Sequence, residues 1–184
     1  MEYDCVPLVD TAMATQEVID RWAIGPGDDV FLVGRFMQHQ GLTRNRPVVR
    51  FGHIAMLPAE PIRQTSRSAC ANFEQSSFLI EVLSVSGFSG SPVFVTIRGG
   101  VRRPGPGGNT VTLLGDQGPF LLGLEWGHLD RDTLVKNLGF RDLEFSYPVH
   151  SGMTGVVPAD KIREVLDLPQ LVEERAKKRA QHKN

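Results

Sequence analysis

Short runs of apolar and β-branched residues, each followed by Gly or Pro or by a polar turn, recur from residue 29 to residue 157. That punctuation constrains the fold more than any other feature. The runs are too short for stable helices and are rich in residues that suit a pleated, half-buried surface. They are DVFLVGRF (29–36), PVVRFGHIAM (47–56), SFLIEVL (77–83), PVFVTI (92–97), TVTLL (110–114) and FLLGLEW (120–126), with two shorter ones at 145–149 and 153–157. The turn formers are abundant: 19 Gly and 12 Pro make up 31 of the 184 residues. Six to eight short strands with a C-terminal helix predict an all-β fold, an antiparallel barrel or sandwich. A chain of this length buries roughly 70% of its unfolded surface in one domain, so it needs no covalent staples.

Between the runs the sequence reads differently. Thr15 is placed to cap a helix over Gln16–Trp22, and Gly25-Pro26-Gly27 stops it. Residues 58–76 show no clean period and predict a long surface connection. Gly99–Asn109 is almost all Gly, Pro and Arg and predicts an exposed hairpin loop, with Thr110–Leu114 pairing back on the strand before it. Residues 127–144 form a charged excursion. From Asp160 the period becomes helical: Asp160 reads as an N-cap, Pro169 as a breaker, and Leu171–Lys178 as a second helical stretch ahead of a basic tail. No internal repeat is visible.

Composition excludes several function classes. With 20 Lys+Arg against 21 Asp+Glu the net charge is -1, so no nucleic-acid partner is expected. The arginines at 44, 46 and 50 and at 98, 102 and 103 read as solvated loop faces rather than an anion-binding patch. Cys5 and Cys70 are too few for a disulfide framework or a zinc cluster. No apolar run approaches a membrane span, and the first residues, MEYDCVPLVD, show no signal peptide, so a cytoplasmic chain is expected as it stands. Metal and nucleotide motifs are lacking, and no cofactor is expected.

The stretch SVSGFSGSPVF (84–94) carries the chemistry. A serine nucleophile must project its hydroxyl from a tight turn, beside backbone N–H groups aimed at the developing oxyanion. Glycines permit the backbone angles such a turn needs. The strand–turn–helix elbow of α/β-hydrolases does not fit, because a strand follows Pro92. Gly87-Phe88-Ser89-Gly90-Ser91-Pro92 resembles the nucleophile motif of the trypsin/chymotrypsin-like serine peptidases, in their bacterial-type branch. Phe88 and Ser91 depart from the residues most frequent there. Gly123-Leu124-Glu125-Trp126-Gly127 is similar to the family's strand ending in Trp-Gly, and residues 151–166 are similar to its closing strand and terminal helix.

The resemblance implies a six-stranded trypsin-like barrel over 29–158. Residues 1–28 would then be an interdomain segment with a remnant of an N-terminal barrel, and 159–184 the helix and basic tail. It implies peptide-bond hydrolysis with Ser89 as nucleophile and the N–H groups of Gly87 and Ser89 as oxyanion hole. Trp126 and Gly127 would bind the backbone of a polypeptide substrate, and Asp4 would orient the catalytic histidine. In the family that histidine precedes the aspartate. Here His39, His53, His128, His150 and His182 all follow Asp4. Two expectations result. One is a peptidase C-terminal barrel whose N-terminal barrel, with the histidine, is missing from this chain. The other is a non-catalytic protease-like barrel that acts as a binding module.

Overall fold

The computed structural model describes residues 8–35, 46–66, 71–83, 87–136 and 144–181. The alternation of the apolar runs is resolved into an inside and an outside. In β1 (Asp29–Arg35), Val30 and Leu32 point inward and are buried, while Phe31 and Val33 point outward. The same alternation runs through β2 (Pro47–Met56), β5 (Phe78–Val82) and β6 (Pro92–Ile97), where Ile54, Phe78, Ile80, Val93, Val95 and Ile97 fill the interior. Together with β9 (Gln117–Lys136) and β10 (Glu144–Pro158), these strands close an antiparallel barrel in the order β1-β2-β5-β10-β9-β6. Closure leaves the barrel no free edge.

That order fixes where the candidate site lies. β5 and β6 are joined directly in sequence, yet they stand on opposite sides of the closed ring. The described part of their connection carries Phe88, Ser89 and Gly90 at the mouth of the barrel where β6 begins. Phe88 is fully buried in the core and plugs that mouth. Close strand approach inside the ring demands small residues: a Cβ on Gly123 would sit 1.8 Å from the Val157 carbonyl oxygen of β10.

Two small hairpins decorate the barrel. β3 (Ile62–Ser66) pairs with β4 (Ala71–Gln75) inside the segment expected to be a long surface connection with no clean period. β7 (Arg102–Pro104) pairs with β8 (Thr110–Thr112), so the 110–114 run folds back on the Arg-rich segment and not on β6 as expected. Arg103 on this hairpin reaches the buried Asp28 with an N–O distance of 2.5 Å, tying the hairpin to the base of β1. The charged excursion is also structured. β9 continues through Lys136 and pairs with Glu144–His150, so the two short runs at 145–149 and 153–157 belong to one strand with an irregularity between His150 and Thr154.

Helix α1 (Gln16–Trp22) follows Thr15 as expected, although Thr15 makes no side-chain cap bond. The chain ahead of it is joined to the barrel where Ala14 N–H donates to Leu121 O at 2.9 Å. Asp160 lies in the first turn of α2 (Ala159–Leu166) and accepts from Gln16 N–H at 3.0 Å, so it links α2 to α1 and does not cap its own helix. Pro169 opens α3 (Pro169–Gln181), where its missing N–H costs nothing. No helix among the described residues is long and apolar enough to cross a membrane.

Candidate functional site

The Ser89 turn is built by three backbone hydrogen bonds. Ser91 N–H donates to Phe88 O at 2.8 Å and closes a tight turn over Ser89 and Gly90. Gly90 N–H donates to Glu125 O at 2.7 Å, and Glu125 N–H donates to Ser91 O at 3.0 Å. The turn is therefore clamped on β9 at the residue preceding Trp126-Gly127, and two separately identified sequence segments become neighbours. Gly87 (φ 104°) and Gly90 (φ 85°) adopt backbone angles that a side chain disfavours. Phe88 pins the turn from below, and Ser89 stands exposed above it. Among the described residues neither the Gly87 nor the Ser89 N–H has a backbone acceptor, which leaves both donors for an incoming oxygen.

Gly34 at the end of β1 completes the seat. A Cβ there would lie 2.5 Å from both the Phe88 ring and Ser91 Oγ, so only glycine lets the turn settle on the strand. On the other flank, β9 and β10 lose register between Gly127↔Gly155 and Glu125↔Val156. Trp126 is the extra residue of this bulge, a device that re-aims a side chain beside a site. Its indole lies over Gly155, and its Nε1–H donates to Ser77 Oγ at 3.0 Å. The ring is half-buried, while Gly127 meets nothing within 4 Å where a Cβ would stand. The structure thus brings Ser89, Gly87, Trp126 and Gly127 to one mouth of the barrel.

Asp4 lies outside the described residues, as do Cys5, Cys70, His39 and His182. Of the described histidine side chains, neither is bonded to Ser89. His53 Nε2 lies 3.3 Å from Asp29 Oδ1 on the outer wall of the barrel, and His128 Nδ1 is 3.2 Å from Thr154 Oγ1. Among the described residues, Arg98 and Arg103 line one pocket with Asp28 and Asp29. Arg98 pairs with Asp29, Arg103 pairs with Asp28, and the Arg50 guanidinium lies 5.9 Å from the Phe88 ring centroid. No three His, Cys, Asp or Glu side chains gather for a metal among the described residues.

Glu125 is the feature that sequence reasoning missed. Its side chain is only 1% exposed and neither carboxyl oxygen has a hydrogen-bond partner among the described residues. Burial raises its pKa from 4.5 to about 7, because the charged form loses water and gains nothing in exchange. The available signal was an acid inside the apolar run FLLGLEW. Compared with family models, curated proteins and solved structures, the chain finds no match.

Proposed function

We propose that this chain is the nucleophile-bearing, trypsin-like barrel of a serine peptidase, acting on a polypeptide substrate. The observation that carries the reading is the clamped Gly87–Ser91 turn: an exposed serine, two N–H groups without backbone acceptors, and β9 running alongside at Trp126-Gly127. In this reading Ser89 Oγ attacks the scissile carbonyl carbon and its proton passes to an imidazole base. The carbonyl oxygen becomes an oxyanion received by the N–H groups of Gly87 and Ser89. Trp126 and Gly127 align the substrate backbone. Asp4 orients the base, which comes from a segment outside this chain, the missing N-terminal barrel.

A second reading has its own observation. Ser89 has no hydrogen-bonded base among the described residues, as in a protease-like barrel that binds a polypeptide without cleaving it.

A fluorophosphonate probe separates the two. Ser89 Oγ forms the bond to phosphorus and fluoride leaves, so a base is needed for the hydroxyl proton. The chain alone is expected to show negligible labelling. Added imidazole accelerates labelling at Ser89 and leaves Ser89→Ala unlabelled. Absence of Ser89 labelling at any imidazole concentration removes the nucleophile and favours the binding module. Strong labelling without added base shows that the chain holds its own base and removes the missing barrel from the proposal.

A further inference from the structure

The outer wall formed by β6, β1, β2 and β5 carries a pattern that the catalytic reading does not use. Strand register aligns Phe94, Phe31 and Phe51 across three neighbouring strands, and Leu83 just past the end of β5 continues the row. Phe31 stacks on Phe94 with centroids 5.2 Å apart and meets Phe51 at 6.3 Å. Phe51 is 76% exposed and Leu83 77% exposed, so large apolar side chains are held against water. An open groove of about 730 Å³ is lined by Phe31, Phe51 and Leu83 together with Asp29, His53 and Arg98.

Next to the apolar row lies a polar one. Register sets Thr96, Asp29, His53 and Glu81 side by side across the four strands, and Arg98, just past the end of β6, reaches back to Asp29 with its side chain. Arg98 Nε reaches Asp29 Oδ2 at 2.5 Å, His53 Nε2 lies 3.3 Å from Asp29 Oδ1, and Glu81 sits directly opposite His53 in the ladder. From Arg98 through Asp29 and His53 to Glu81 the order is donor, acceptor, donor, acceptor. Glu81 is exposed and has no ion-pair partner among the described residues. Arg98 binds Asp29 through one of its five N–H donors, so the others remain for a second carboxylate.

We propose that this wall is a homodimer face, occupied by the same wall of a second copy of this chain. The argument is self-complementarity. A two-fold axis lying in the face, parallel to the strands and between β1 and β2, reverses the strand order. With the Arg98 side chain extended toward Asp29, donors and acceptors alternate along Arg98, Asp29, His53 and Glu81, and reversal sets each of the four against its opposite. Arg98 meets Glu81 of the second copy, and Asp29 meets His53. The same rotation lays Phe31 against Phe51 and Phe94 against Leu83, and the groove receives the second copy's Phe51. Residue i contacts j and j contacts i, which is what an isologous interface requires. Sheets packed this way lie about 10 Å apart with their side chains interdigitated. A face of four short strands is at the small end of stable interfaces, so affinity in the micromolar range is expected.

Sedimentation velocity of the full chain tests it. The wild type is expected to dimerise below about 100 µM. Glu81→Arg confronts Arg98 of the second copy with another cation, and Arg98→Glu confronts Glu81 with another anion. Each variant alone weakens association at least about tenfold, because like charges face each other twice per dimer. An equimolar mixture of the two regains wild-type affinity within about threefold, since each cation again meets an anion. Phe51→Ser abolishes association, and its unchanged thermal unfolding shows that the barrel is intact. A monomeric wild type overturns the proposal. So do single charge variants that dimerise as the wild type does, or two monomeric variants whose mixture does not pair.

Discussion

Burial of Glu125 without a partner makes its charge a cost to folding, and that cost can be isolated. In the unfolded chain the carboxyl ionises around 4.5; in the fold it ionises around 7. A raised carboxylate pKa means that the native state holds a proton the unfolded state has released. Stability therefore falls as pH rises through the interval from 4.5 to 7, and the loss is complete above 7. At about 1.4 kcal/mol per pH unit, the interval corresponds to about 3 kcal/mol. For a chain of this size that is a drop of about 6–12 °C in unfolding temperature. Glu125→Gln keeps the shape and removes the charge. Circular dichroism melts of both proteins from about pH 5 to about pH 8 are the assay. Near the acid end the two should unfold within about 1 kcal/mol of each other, both burying a neutral polar group. Toward the alkaline end the wild type falls progressively below the variant. Subtracting the two curves cancels every other titrating group. Parallel curves, or a wild type that gains on the variant with rising pH, would refute the reasoning.

Other substitutions test the seat of the turn. Phe88→Ala empties the barrel mouth and should cost about 3–5 kcal/mol in urea unfolding. Gly90→Ala meets no steric obstacle but forces a side chain into a positive-φ conformation, for about 1–2 kcal/mol. Its imidazole-assisted Ser89 labelling should drop further than its stability does. Arg103→Ala leaves Asp28 charged and buried, so a loss of about 3–5 kcal/mol is expected, against under about 1 kcal/mol for the exposed pair Lys161–Glu164 broken by Lys161→Ala.

The barrel was legible wherever one strand face meets the core. Val30 and Leu32, or Val93, Val95 and Ile97, must alternate with outward residues, and that alternation survives in the sequence. Where no core is met, the signal disappears. The β3–β4 hairpin and the outer half of β9 are written largely in polar and charged residues, and it is the ladder pairing that defines them as strands. Pro169 separates α2 from α3 as expected, and it also opens α3 two residues ahead of the predicted Leu171, because a proline fits the first helical turn. At the site, the turn was readable because its backbone admits only glycine at two positions. The clamp at Glu125 was not, since a hydrogen bond from its main chain leaves no trace in residue type. The outward aromatics Phe31, Phe51 and Phe94 were indistinguishable in sequence from core residues until the register assigned them a side.

The Ser89 turn at the barrel mouth has a consequence in time. A turn between adjacent strands can form with its own hairpin, but β5 and β6 are not adjacent, and the Ser89 turn takes its partners from β9, a strand made later in the chain. Two of the three bonds that shape the turn come from β9, so the clamp on the segment holding Ser89 is complete only once β9 lies beside β6. A nascent or partly opened chain thus carries the serine but not the complete clamp around it. Any reactivity of Ser89 that needs the clamp is a report that β9 is in place, and it vanishes with that strand rather than fading turn by turn.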